Sequence, residues 1–183
     1  MNKYINIIIT ILGAILLTVG VLFYMNIIKI PETTKNTFQF QTLAGKTFNI
    51  HTDNKKIHIE GMENKVVFLK VFGWNCNFCK KEIPELIKLK KSLPESFDVI
   101  AIEAQKHTTK ESKEFIKKFG INYHIVEGEK QKDFYNYLQK QYGWTGVIPL
   151  TIILSKDGEV LAFERGSKSY SLSELFQASV VKR

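Results

Sequence analysis

The feature that most constrains this chain is a Cys-x-x-Cys pair that follows an apolar run and opens an amphipathic helix. Residues 65–72 are β-branched and aromatic over the length of one strand, as in a strand buried on both faces. After Cys76 and Cys79, apolar residues recur at helical spacing from 77 to 93. The sequence therefore predicts a strand, a turn at Gly73, and a helix whose N-terminus carries both cysteines.

A cysteine at a helix N-terminus is suited to thiol chemistry. Its sulfur would lie beside unpaired backbone N–H groups and the positive end of the helix dipole, and both favour the thiolate. We predict that Cys76 attacks a disulfide and that Cys79 resolves the mixed disulfide, with no cofactor. Packed core cysteines or a metal site are the alternatives. The histidines are scattered along the chain, so no metal site is predicted.

Strand and helix patterns alternate along the rest of the chain, which predicts an α/β domain with a mixed central sheet flanked by helices. Two capping-box patterns, Thr108-x-x-Glu111 and Ser171-x-x-Glu174, predict helix starts. The other predicted elements are a hairpin over 38–50, strands at 57–59, 98–102 and 123–126, a helix around 134–138 and a hairpin over 151–163.

The first 30 residues predict a transmembrane signal anchor. From Tyr4 to Ile28 no side chain is charged, and a helix of that length would span roughly 37 Å, more than a bilayer core of about 30 Å. A removed signal peptide and a buried helix are the alternatives, but no suitable cleavage site follows the apolar run. Residues 31–36 then form a linker, and 37–183 form one domain.

The charge balance favours an ordinary solvated surface. The formal net charge is +8, but the lysines occur mainly in mixed helical patches such as Lys80, Lys81 and Lys88. Nucleic-acid binding is therefore not predicted. No second domain for dimerisation is evident, so we expect a monomer.

The segment Val71-Phe-Gly-Trp-Asn-Cys-Asn-Phe-Cys-Lys-Lys-Glu-Ile-Pro84 resembles the active-site segment of thioredoxins. The opening hairpin, the membrane anchor and an extra strand and helix between about Glu103 and Tyr142 are similar to the TlpA-like and ResA-like branch. The resemblance covers about residues 37–180. It implies a thioredoxin-like fold with a central β-α insertion and reduction of protein disulfides outside the cytoplasm, often during cytochrome c maturation.

The resemblance also implies a substrate-binding loop. In the thioredoxin fold a cis-proline faces the cysteines, and Pro149 matches its place, with an ordinary trans proline as the alternative. Ile148 would then offer its backbone to an extended substrate. Trp74, one place earlier than the aromatic residue usual before the first cysteine, could cover the sulfur.

Three charged residues are candidates for tuning the cysteines. Lys70 stands six residues before Cys76, where thioredoxins place a buried acid; it could favour the thiolate by its charge or point its amine to water. Glu82 and Glu103 are candidate proton-transfer acids, with surface charge or capping as the alternative for each.

The resulting hypothesis is a single-pass reductase of the inner membrane whose catalytic domain faces the periplasm. It would take electrons from a membrane thiol donor and reduce protein clients, with apocytochrome c as the leading candidate by resemblance. A thiol oxidase or isomerase of the same fold stays open as an alternative. So does a non-catalytic chaperone whose thiols hold Cu(I).

Overall fold

The structure, a computed structural model, describes residues 7, 12–21, 36–53 and 55–181. Contacts divide the chain into two units, Met1–Thr33 and Thr34–Arg183.

In the first unit, residues 7 and 12–21 are helical and their side chains are exposed. No helix in the described part of the chain is both long and apolar enough to cross a membrane. Most of the predicted anchor (1–30) and of the predicted linker (31–36) lies outside the described residues.

The second unit has the predicted α/β class and contains every strand and helix that the patterns predict. A short 3-10 turn was not predicted. In chain order the elements are β1 (Asn36–Gln41), β2 (Thr47–Thr52), β3 (Ile57–Ile59), β4 (Val66–Phe72), α1 (Asn77–Ser92), β5 (Phe97–Glu103), α2 (Thr109–Phe119), β6 (His124–Glu127), the 3-10 turn (Gly128–Lys130), α3 (Lys132–Tyr142), β7 (Leu150–Leu154), β8 (Val160–Arg165) and α4 (Leu172–Val181).

Five strands form the predicted mixed sheet in the order β6-β5-β4-β7-β8. β4, β5 and β6 run parallel, β7 is antiparallel to β4, and β8 is antiparallel to β7. The N-terminal hairpin forms as predicted, and β3 extends it into a separate antiparallel sheet, β1-β2-β3. β4 is therefore the central strand, as its apolar sequence indicated.

β4 supplies side chains to a hydrophobic core on each face of the sheet. Val67, Leu69 and Val71 pack with residues of β1, β2, β3 and α3. Phe68 and Phe72, on the other face, pack with residues of α1, α2 and α4. Successive side chains of a strand point to opposite faces, so a strand buried on both sides must be apolar at almost every position.

The predicted helix boundaries have the expected caps. The Thr108 hydroxyl and the Glu111 carboxylate form a complete capping box at the start of α2, and Gly120 ends that helix in the left-handed conformation at φ 64°. At the start of α4, Ser171 N donates to Glu174 Oε2 (2.7 Å) and Glu174 N donates to Ser171 Oγ (3.1 Å).

The turn between β7 and β8 contacts the small sheet through Gly158. The Ile57 N–H donates to the Gly158 carbonyl at 2.8 Å. Gly158 has φ 78°, and a Cβ at this position would lie 2.9 Å from the Ile57 carbonyl oxygen. Both the backbone conformation and the close approach therefore require glycine here.

We predict that Gly158→Ala lowers the free energy of unfolding by about 3 kcal/mol, from backbone strain plus the contact with β3. Gly120→Ala is the matched control: φ there is 64° but nothing lies within 4 Å of the added Cβ. It should lose only about 1 kcal/mol. Urea unfolding of both variants measures the difference, and equal losses would contradict the role of the β3 contact.

Candidate active site

The two cysteines lie where β4 gives way to α1. Cys76 is the N-cap residue of α1, and Cys76 Sγ accepts a hydrogen bond from the Cys79 N–H at 3.1 Å. The two residues form a disulfide with their Cα atoms 5.2 Å apart. Cys76 is half-buried, whereas Cys79 is 2% exposed. A partner can therefore reach the first sulfur more readily than the second.

The proline loop leaves the sheet at the same end as the cysteine loop. β7 is antiparallel to β4, and its first residue, Leu150, pairs with Val71 near the end of β4. Pro149, which precedes Leu150, therefore lies at the end of the sheet where β4 ends. The Ile148–Pro149 peptide bond is cis. Ile148 is half-buried and packs against the hydrophobic cluster that also contacts Cys76.

Lys70 lies inside the sheet, on the face of β4 that α1 covers. It is 2% exposed, and its Nζ lies 2.8 Å from Glu82 Oε2 and donates to Thr151 Oγ1 at 2.5 Å. Burial lowers the pKa of the Lys70 ammonium, and the Glu82 carboxylate acts in the opposite direction. The amine points to the Glu82 carboxylate rather than to water.

Glu82 lies one helical turn after Cys79, on α1, and its side chain is 15% exposed. It also lines a groove of about 320 Å³ together with Phe78, Lys81 and Tyr170. Phe78 is 53% exposed and Tyr170 is 39% exposed. The structure therefore places Phe78, which lies between the two cysteines in sequence, in one groove with Lys81 and the partly buried Glu82 carboxylate.

The Trp74 side chain is not on the surface that a substrate would contact. This side chain is fully buried, its Nε1 donates to Ser112 Oγ at 3.1 Å, and its ring stacks on Phe115 with centroids 5.0 Å apart. The indole packs against α2 in the hydrophobic cluster that also contains Cys79, so it offers no exposed surface to a substrate. That Trp74 covers the sulfur stays a prediction.

Glu103 is 3% exposed and holds the loop that follows β5. Its carboxylate accepts hydrogen bonds from the backbone N–H groups of Gln105 (2.9 Å) and His107 (3.2 Å), and Oε1 lies 3.1 Å from His107 Nδ1. Glu103 thus holds the loop that precedes α2, and a role for it in proton transfer stays a prediction. Sequence reasoning did not single out Gln105 and His107, since no periodicity or motif marks them.

Among the described residues, no group of three or more His, Cys, Asp and Glu side chains is placed so that it could hold a metal ion.

The fold and site define a class of protein. The Cys-x-x-Cys pair lies at the start of the helix that follows the central strand, and a cis-proline precedes the neighbouring antiparallel strand. This arrangement makes the chain a thioredoxin-like protein. Residues 32–163 match the AhpC/TSA family, and the chain belongs to that family.

Curated relatives carry the name thiol-disulfide oxidoreductase ResA. The protein of that name from Bacillus thuringiensis (strain Al Hakam) is 29% identical over 110 residues, which cover 60% of this chain and 60% of the relative. The one from Bacillus subtilis (strain 168) is 26% identical over 128 residues, covering 66% of this chain and 64% of the relative. The chain thus spans about three fifths of the length of these relatives.

Solved structures share the fold. StoA from Bacillus subtilis superimposes with a TM-score of 0.55 at 19% identity, covering 79% of this chain and 96% of StoA. A DsbF homologue from Corynebacterium diphtheriae gives 0.60 at 18% identity, covering 85% of this chain and 90% of the homologue. The family match and the curated relatives, together with this shared fold, confirm the resemblance to thioredoxins of the ResA-like branch.

We predict that Lys70→Met lowers the free energy of unfolding by about 3 kcal/mol, because it leaves the Glu82 carboxylate without its cation. The double variant Lys70→Met/Glu82→Gln should recover most of that loss, since it removes the ion pair as a unit. Lys81→Met, which changes an exposed lysine of α1 next to Glu82, is the matched control and should stay within about 0.5 kcal/mol of wild type. Additive losses in denaturant unfolding would argue against the pairing.

Proposed function

We propose that this protein is a thiol-disulfide oxidoreductase that reduces disulfides of client proteins through Cys76 and Cys79. The observation that carries the proposal is the position of Cys76: it caps α1, is half-buried, and accepts the Cys79 N–H. A hydrogen bond from the helix and the positive end of its dipole favour the thiolate, the form that attacks disulfides. The names of the curated relatives support the same activity.

The reaction is an exchange of one disulfide for another. The Cys76 thiolate attacks one sulfur of the client disulfide, forming a mixed disulfide and releasing the other client sulfur as a thiolate. The Cys79 thiolate then attacks Cys76 Sγ, forming the intramolecular disulfide and releasing the second client sulfur. Two electrons pass to the client. The Cys76–Cys79 disulfide present in the structure is the oxidised product of this sequence.

Glu82 is proposed to take the proton from Cys79 as that thiol attacks. Cys79 and Glu82 are three residues apart on α1 and so lie on one face of the helix. The Cys79 side chain is buried, so water has little access to remove its proton. In this proposal the Glu82 carboxylate, whose Oε2 lies 2.8 Å from Lys70 Nζ, accepts that proton.

Clients would dock around the exposed sulfur. Ile148 would offer its backbone to an extended client segment, since the residue precedes β7 at the end of the sheet where the cysteines lie. The groove lined by Phe78 and Tyr170 would take an apolar client side chain. Trp74 is not part of this surface, because it is buried.

For its location, we propose a monomer that is anchored in the inner membrane, with the catalytic domain in the periplasm. The uncharged run from 4 to 28 supports the anchor. A dithiol in the periplasm would have disulfides to act on, whereas thiols in the cytoplasm are kept reduced. Electrons would come from a membrane thiol donor, and apocytochrome c is the client that the ResA-like resemblance suggests.

We predict a low reduction potential for the Cys76–Cys79 couple. The full-length protein in detergent, equilibrated with glutathione buffers and read by thiol alkylation, should be half-reduced at about −230 mV or below, the range of glutaredoxins and thioredoxin. A midpoint near about −120 mV would instead make the protein an oxidant of its clients, which is the direction of a thiol oxidase. Stoichiometric Cu(I) retention without disulfide reduction would favour the chaperone alternative.

We predict that Cys79→Ser accumulates mixed disulfides with client proteins and that Cys76→Ser does not. Without Cys79 the first exchange proceeds but the complex has no internal thiol to resolve it. Without Cys76 the remaining thiol is buried. Non-reducing electrophoresis after incubation with a disulfide-containing protein measures the complexes. Equal trapping by both variants would contradict the assigned order of attack.

A further inference from the structure

The loop of residues 104–107 contacts the segment immediately before the reactive cysteine. Gln105 Oε1 accepts a hydrogen bond from the Asn75 backbone N–H at 2.7 Å. The Asn75 side-chain Nδ2 lies 3.3 Å from His107 Nε2. Asn75 directly precedes the N-cap residue Cys76, so both its backbone and its side chain are held from outside the Cys-x-x-Cys segment.

The same glutamine covers Gly73. A Cβ built on Gly73 would overlap the Gln105 side chain, so the carboxamide can reach Asn75 only because residue 73 has no side chain. The Gly73 carbonyl in turn accepts the Cys76 N–H at 3.1 Å. Gln105 therefore contacts the turn at its first residue and at the residue before the nucleophile.

Glu103 keeps this loop in place. Its buried carboxylate accepts the backbone N–H groups of Gln105 and His107, and Lys106 between them has φ 59°, a left-handed conformation that is unusual for lysine. Because Glu103 accepts at His107 Nδ1, the other ring nitrogen is an acceptor in the neutral imidazole. It can therefore accept from the Asn75 amide.

We propose that Gln105, anchored through Glu103, is a positioning residue for Cys76. It fixes the turn before the helix so that Cys76 Sγ stays at the N-cap position, where it accepts the Cys79 N–H. The thiolate is stabilised only while the sulfur keeps that position. This inference rests on the proposed function for its use in disulfide exchange, but the geometry and the test concern the thiol itself.

The test measures the pH profile of Cys76 alkylation by iodoacetamide in the reduced full-length protein. A Cys79→Ser background leaves one thiol to follow. Gln105→Met keeps the volume of the side chain but removes the acceptor. We expect the profile to move to higher pH, so that alkylation one pH unit below the wild-type midpoint slows about fivefold, the size of effect expected from losing roughly one hydrogen bond.

Gly73→Ala perturbs the same contact without changing Gln105, because the added Cβ displaces the carboxamide. It should shift the profile in the same direction, and the Gly73→Ala/Gln105→Met double variant should shift it no further than the larger single effect. Gln139→Met, at an exposed glutamine of α3, is the matched control and should leave the profile in place.

If Gln105 has a purely structural role, the experiment gives a different result. Gln105→Met would then lower the thermal unfolding midpoint while the alkylation profile stays at the wild-type position, and that outcome would overturn the proposal. Additive shifts in the double variant would also overturn it. If the profile shifts as expected but the wild-type protein reduces no disulfide, the positioning role stands and the proposed function fails.

Discussion

The burial of β4 on both faces is the constraint on which the rest of the structure depends. All seven of its residues are buried, and its neighbours are the parallel β5 and the antiparallel β7. The carboxyl ends of β4 and β5 and the start of β7 therefore meet at one edge of the sheet. Cys76 follows β4, Glu103 ends β5 and Pro149 precedes β7. In open α/β sheets this is the edge at which ligands bind.

One residue of that strand breaks the apolar pattern and links stability to the site. A lysine within a fully buried strand is unfavourable unless a carboxylate and further hydrogen bonds satisfy it. Glu82 from α1 and Thr151 from β7 provide both for Lys70. The same pair ties the helix that carries the cysteines to the strand that follows the cis-proline. Departures from local rules in a fold are expected where function requires them.

Features that depend on residues close together in sequence could be predicted, whereas features that depend on residues far apart in sequence could not. The capping box of Thr108 and Glu111 and the helix start at Cys76 are set within four residues, so spacing alone predicted them. The burial of Trp74 was not predicted, because its hydrogen-bond partner Ser112 lies 38 residues along the chain. Gln105 was missed for the same reason: it contacts Asn75 only because β4 and β5 are paired in parallel. Tertiary packing decides such positions.

The source of the hydrogen bond to Cys76 explains why distant loop residues can matter to its chemistry. The donor is a backbone N–H of the helix rather than a charged side chain, so its strength depends on the angle at which the chain enters α1. That angle is set before the helix begins, by the turn that Gln105 contacts at Gly73 and Asn75. Reactivity in this arrangement is therefore tuned through backbone geometry, by residues that need not touch a client protein.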